Sequence, residues 1–470
     1  MAKIHAMMDI GKRSMMNSQT ALQTVSHNIA NKTTEGYSRQ RVELQTAVPI
    51  VEGRHQLGMG SRAAAVTRTN NPFLEKQLQK ETGQMGLQQG RESALTRVEQ
   101  VFNEQMNKGL NQYMTDFFNS YRELSNNPES ITTRTMVKEA GESVVKDFKR
   151  VDDQLLGIQK DVDERVRNET EEVNKLSREI AQLNEKIAEV EVQGIPANDQ
   201  RDRRDVCLKK MNEKIDIHYA EGDQGAVTVT TAGNAILVSG FDNYELTTKE
   251  NPETNRMDVY FKPNESTPPF RITDRIKGGT IGGGLNVRDQ IIPDFKEKMD
   301  QLAYTFAEEI NRAHVEGFDK LGRQGEFFFD MPTQVVGAAR SLSVNEKIVN
   351  DVNRITAAAK PGAVGDNTVA NVISQLQYKG IMDGNTTTMD DFYNSQVGRV
   401  GVLTQRAIKA RESQDNVLQQ LNTIRESISG VSLDEETTNM IEFQRAFDAS
   451  ARVIKTADEM FDTVLNLKRL

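Results

Sequence analysis

Near the amino end, Ile4, Met8, Gly11, Met15, Ser18, Leu22, Val25 and Ile29 follow one another at alternating steps of four and three residues. That spacing predicts an amphipathic helix whose seam is meant for another helix. One row of the seam (Met8, Met15, Leu22, Ile29) is large and apolar. The other (Ile4, Gly11, Ser18, Val25) holds two small residues that would let a partner approach closely. The helix should stop within "SHNIANKTTEGY", where Asn28 or Asn31 supplies a left-handed termination and Gly36 marks a turn before Tyr37. An extended segment carrying Val42 and Leu44 follows.

The carboxy end mirrors this pattern. Met440, Phe447, Ile454 and Phe461 form one seven-residue row; Phe443, Ser450, Ala457 and Val464 form the other, again one large and one mostly small. The first helix is therefore expected to pack on the last, in a coiled coil joining the termini. Between them, an apolar stripe runs from Val144 to Val190, with a stutter around Val162, until Gly194 and Pro196 break it. A second stripe, Phe295 to Ala313, follows Pro293, which suits a first helical turn. A third, Leu418, Leu421, Ile424 and Ile428, leads toward the terminal helix. Residues 215–280 are the exception: "AVTVTTAGNAILV" alternates around a Gly-Asn turn, and "RMDVYF" and "FRIT" read as short strands. The fold class expected is mainly α with an inserted β-rich domain. Its parts are a terminal coiled coil (1–65 with 430–470), a helical domain (66–212 with 282–429) and the β insertion (213–281).

Composition supports long helices with narrow stripes over one large globule: of 470 residues, 37% are hydrophobic, 27% are charged and none is tryptophan. A net charge of −9 gives nucleic-acid binding no general support. Residues 1–46 hold six basic and three acidic residues, and residues 431–470 five basic and eight acidic, an asymmetry that helps orient the two ends. No apolar run approaches the ~20 residues of a membrane span. Asp9, Lys12 and Arg13 interrupt any signal-peptide core after Lys3. These rules alone predict a cytoplasmic protein.

Candidate chemistry is sparse. His5, His27, His55, His218 and His314 show no metal-binding spacing, and His314 suits a local hydrogen bond better than a base. No nucleophile elbow is present. "GGTIGGG" lacks the Gly-Lys-Ser/Thr end of a phosphate loop and is expected to be a backbone bend. "NDQRDRRD" (198–205) reads as a charged, self-paired helix start, and Cys207 as an ordinary thiol. No catalytic residue, metal or cofactor is expected.

With both termini considered, "ALQTVSHNIANKTTEGYSRQRV" and "GVSLDEETTNMIEFQRAFDASARVIKTADEMFDTVLNL" resemble the terminal signatures of the flagellar rod and hook axial protein family. Asn28, Asn31, Thr34, Gly36 and Tyr37 carry the first signature; the family often has proline where this chain has Glu35. The stretches "NDQRDRRDVCLKKMNEKIDIHYAEGDQGAVTV" and "GGGLNVRDQIIPDFKEKMDQLAYTFAEEINRAHVEGFDKLGRQGEFFFD" are similar to the branch of that family found where hook meets filament. The resemblance implies a structural subunit that assembles with identical copies in a tubular helical lattice. Hook protein would lie on one side, and a second junction protein or the filament on the other. It also implies an extracellular location, reached unfolded through the flagellum's own export channel without a cleavable signal, with an export chaperone at the carboxy-terminal helix. Neither nucleic acid nor membrane insertion enters this picture. The assembly seam would be Ile4, Met8, Met15, Leu22, Val25 and Ile29 against Met440, Phe443, Phe447, Ile454, Phe461 and Val464. A coiled-coil adhesin or phage-tail-like protein with a β binding head is the competing expectation.

Overall fold

The computed structural model describes residues 2–52, 55–102, 108–263, 267–330 and 332–467. Helix α1 (Ala2–Ala30) leads into a hairpin of β1 (Gln40–Thr46) and β4 (Ser61–Arg68), extended by a ribbon of β2 (Ile50–Glu52) and β3 (His55–Leu57). Helices α2 (Pro72–Phe102), α3 (Leu110–Asn126), α4 (Ile131–Glu191) and α5 (Asn198–Lys214) follow. Next come β5 (Ile217–Glu221), β6 (Val227–Thr231), β7 (Ala235–Ser239) and β8 (Asp242–Asn243), antiparallel in that order. A second antiparallel sheet has the order β11-β10-β9, from β9 (Leu246–Asn251), β10 (Arg256–Phe261) and β11 (Phe270–Arg271). The chain then returns to helix with α6 (Gly279–Asn286) and α7 (Ile292–Glu316). A region of short pieces contains β12 (Phe329–Asp330) and β13 (Ser343–Val344), which pair, and α8 (Ala338–Ser341), α9 (Glu346–Asn350) and α10 (Thr368–Gln375). Two long helices, α11 (Met389–Ser429) and α12 (Leu433–Leu467), end it. The class is mainly α with small antiparallel sheets, as the hydrophobic pattern predicts.

The spine is α4. It starts earlier than its stripe suggests, at Ile131, because Ser130 caps it by accepting from the Thr133 backbone N–H. Its apolar face packs first on α3 and α7, where Phe117, Phe118, Tyr121, Phe306, Phe328 and Phe329 form an edge-to-face cluster. Farther along, Val166, Val173, Ile180 and Leu183 meet the buried faces of both central sheets in one unbroken core. Polar residues on this face are matched to strand backbone. The Asn174 side-chain amide donates to Leu246 O and its oxygen accepts from Leu246 N, both at 2.8 Å, and Asn184 treats Val227 the same way at 2.9 and 3.1 Å. Each asparagine thus stands in for a ladder neighbour at a strand end whose backbone groups would otherwise be buried unpaired.

One local expectation needs correction. The glycine-rich stretch is no bend: it is α6, and it lies so close to α2 that a Cβ on Gly283 would sit 2.3 Å from Leu87 O, and one on Gly90 2.4 Å from Thr280 O. Glycines here serve backbone-to-backbone packing of two helices. Pro293 sits in the first turn of α7, as its place just ahead of the apolar stripe predicts. Helix α6 runs through a π turn (Val287–Ile291) directly into α7, and the wider turn accommodates the missing proline N–H.

At the ends, α1 and α12 lie along each other, and the β1/β4 hairpin rests on another side of α1. Among the described residues no helix is long and apolar enough to cross a membrane.

Candidate functional site

Four contacts fix the register of the terminal pair. Asn28 Nδ2 donates to Glu436 Oε2 at 3.1 Å, and Ser450 Oγ donates to Ser14 Oγ at 2.7 Å. Gly11 lies under Ile454, where a Cβ would meet Cγ1 at 2.7 Å, and the His5 ring stands edge-on to Phe461 with centroids 5.5 Å apart. The helices are therefore antiparallel. Ile454 faces Gly11, eighteen positions from Ile29, so the two large rows do not interdigitate end to end.

The two rows of each helix do not share the interface equally. Gly11, Ser18 and Val25 are buried on α1, as are Ser450 and Ala457 on α12. The larger residues Ile4, Met8, Met15, Leu22 and Ile29 are half-buried, as are Met440, Phe443, Phe447, Ile454 and Phe461. Val464 is exposed. Close approach of the backbones at Ser14 and Ser450 sends most large side chains to the flanks, while Ile454 packs onto the space left by Gly11.

The signature turn forms a joint around Asn28, which is 1% exposed. Its Oδ1 accepts from Gln40 N at 2.9 Å and from the Tyr37 hydroxyl at 2.8 Å, while Nδ2 donates to Gln40 O at 2.9 Å as well as to Glu436. One side chain thus ties the end of α1, the start of β1 and the first turn of α12. Burial pushes the Tyr37 phenol well above its usual pKa, with Asp199, Asp202 and Glu436 adding to it. Asn31 and Thr34 bond to each other at 3.1 Å. Neither Asn28 nor Asn31 takes the left-handed conformation expected of them; Gly36 does, at φ +79°. A Cβ there would lie 2.1 Å from Val206, so glycine is required twice over.

From this joint, charged groups reach into the body. Arg39 pairs with Glu435 at 2.6 Å and with buried Glu436 at 2.7 Å, and its N–H donates to Ser429 O. Asp202 accepts from Ser38 N and from Arg68, both at 2.8 Å, and Arg68 also reaches Asp205 at 2.7 Å. Burial pushes the Asp202 carboxyl up, against the pull of Arg68 and Ser38. Arg425 donates to Gly36 O and to Glu75, both at 2.9 Å. Burial raises Glu75, but Lys209 and Arg425 outweigh it and hold the carboxyl below its ordinary value. The "NDQRDRRD" cluster is therefore not self-paired: it is the socket on α5 that receives the turn. Asp199, Asp202 and Asp205 meet partners over 130 residues away in sequence, which is why spacing could not reveal them, while Arg201 and Arg203 pair nearer by, with Glu191 and Glu179. No local pattern singles out Ser14, Arg39, Arg68, Glu75, Arg425 or Glu436.

No group of three or more His, Cys, Asp or Glu among the described residues could hold a metal. His314 is fully buried and satisfied on both nitrogens, at Glu326 O (2.5 Å) and by the Thr356 N–H (3.0 Å). The His55 side chain lies outside the described residues. Cys207 is buried, and burial pushes its thiol up to about 12.

Residues 95–329 match the family model described as the flagellar hook-associated protein FlgK helical domain. Residues 426–467 match the flagellar basal body rod FlgEFG protein C-terminal model. The chain is 28% identical over 493 residues to flagellar hook-associated protein 1 of Bacillus subtilis (strain 168), covering 98% of this chain and 97% of the relative. It is 24% identical over 540 residues to the protein of the same name from Salmonella typhimurium, covering 96% and 97%. Its fold is like that of the flagellar hook junction protein FlgK from Burkholderia pseudomallei, with a TM-score of 0.68 at 14% identity, over 75% of this chain and all of that one.

Proposed function

The chain belongs to the flagellar hook-associated protein FlgK family, structural proteins of the hook–filament junction, and from that premise we propose how its two ends make the join. The unit of residues 1–65 and 430–470 builds the junction by packing against the same unit of identical copies in a tubular helical lattice. Residues 66–212 with 282–429 form its helical body, and 213–281 its β-rich part. Hook protein adjoins the tube on one side; a second junction protein or the filament adjoins it on the other.

One observation carries this reading. Among the described residues helix α12 has one extensive neighbour, α1, and small residues dominate the buried part of the face between them. A helix of 35 residues held on one narrow face is marginal by itself and gains order when further helices cover it. Such ends pass unfolded through the flagellum's export channel, gripped at α12 by a chaperone, and order on arrival.

Deleting the gene tests the reading. Non-motile cells bearing hooks without filaments, with filament protein shed into the medium and filaments restored by the wild-type gene, are the expected result. Normal filaments on the deletion strain would exclude it.

A further inference from the structure

The terminal pair has two unlike flanks, and resting on the junction role above, we infer that the large-row flank of one copy seats in the cleft on the opposite flank of the next. At 100° per residue, Met8, Met15 and Leu22 lie to one side of the buried line Gly11–Ser18–Val25. The β1/β4 hairpin occupies the other side, where Asn17 donates to Ser61 O at 3.0 Å and accepts from Ala63 N at 2.9 Å. Because the helices are antiparallel, Met440 and Phe447 of α12 fall on the same flank as Met15 and Leu22. Those side chains make a half-buried apolar ridge.

Opposite the ridge, α1, α12 and the hairpin enclose an open cleft of about 530 Å3. Ser18, Thr24, Val25, Val42, Phe443 and Ala446 are among its walls, and no residue of the ridge lines it. Along its floor Ser14, Ser18, Ala21 and Ala446 leave the space that large, flexible methionine and leucine side chains fill.

Charge identifies the occupant as a second copy. Helix α12 carries eight acidic and three basic residues, whereas α1 is basic. Yet among the described residues Lys12, Glu442, Asp448 and Asp458 join no ion pair. Beyond Arg39, which pairs with Glu435 and Glu436, the opposite charges of the two ends make no ion pair with each other among the described residues. A ridge and a cleft on opposite flanks make a contact that does not close on itself, so it propagates from copy to copy.

Cross-linking in assembled flagella tests the contact. Met15→Cys on the ridge and Glu442→Cys in the cleft are introduced together into the full chain, in cells lacking the wild-type gene. The thiol of Cys207 is buried and held protonated, so it can stay. Within one copy the two positions cannot bridge: Ser14 pairs with Ser450, eight residues beyond 442, which is roughly 12 Å along the axis against a limit of about 7 Å. On oxidation the double variant should give a ladder of dimers, trimers and larger species, and each single variant only monomer. Monomer alone from swimming double-variant cells overturns the contact while leaving the junction role intact. So do dimers from Met15→Cys by itself, or an adduct with hook or filament protein. If the double variant does not swim, the two single variants are co-expressed over the wild type. Dimers without larger species then support the contact, and monomer alone overturns it.

Discussion

Asn28 concentrates more of the fold's logic than any other side chain. It makes four hydrogen bonds from a buried position, to two backbone groups, a phenol and a carboxylate of the far helix. Asn28→Ala leaves buried groups unpaired, a local cost on the order of 3 kcal/mol. Amide exchange in 2–46 and 433–467 should accelerate while the aromatic cluster around Phe117 keeps its protection; unchanged exchange at both ends would remove Asn28 from the joint. His314 makes the fold sensitive to acid. Burial lowers its pKa from 6.5 to about 4, with the Glu326 carbonyl pulling back. Between those values the unfolded chain binds more protons, so stability rises with pH across the window and is lost as pH falls from 6.5 toward 4. The full effect is roughly 3 kcal/mol. Denaturant melts at pH 7 and 4.5 should differ, and His314→Gln should flatten the difference.

At the scale of elements, the terminal pair shows how a heptad pattern divides its labour. The small rows set the distance between α1 and α12, and the large rows are left on a flank. A charge on that flank should therefore harm assembly more than folding. Phe447→Asp is expected to shift the body's melting temperature little, since the body packs without α12, and to abolish filament growth because an unpaired charge buried between copies costs several kcal/mol. Leu22→Asp should act alike from the other helix. Secretion must be followed alongside, by probing the medium for the variant, because α12 also holds the proposed chaperone grip. An exported Phe447→Asp protein that supports normal filaments would refute the assembly role of this flank. The α2–α6 contact is a second case: it depends on glycines spread over two distant segments, and neither segment read alone announces it.

On the scale of the whole molecule, the hydrophobic core runs without a break from α2 through α4 and both central sheets to α11. The strands of 217–271 cover Val166, Val173, Ile180 and Leu183 of α4 and satisfy Asn174 and Asn184. Replacing 217–276 by a short linker should thus expose that face, lowering the melting temperature and raising binding of a hydrophobic dye; wild-type melting after the deletion would establish the strands as a separable unit. The ends behave differently. Limited proteolysis should remove α1 and α12 first and leave a resistant fragment holding α2 to α11, because the terminal pair buries little against the body. Early cleavage within 144–190 would contradict that hierarchy.

The sequence by itself determined the elements whose hydrophobic period is long and regular: α1, α4, α7, α12 and the hairpin of β6 and β7. It also determined that the ends pair, since two matching heptad seams have few other uses. Local chemistry is enough for such statements, because period and turn residues act over a few positions. Only the tertiary structure decided which row of each seam is buried, that α6 is a helix, and that Asp202, Arg68, Arg425 and Glu436 converge on the signature turn. Those outcomes depend on how closely backbones approach and on partners more than a hundred residues apart. The choice between a glycine bend and a glycine helix, or between a self-paired and a cross-paired arginine, is made by the neighbour that arrives, and no local pattern records it.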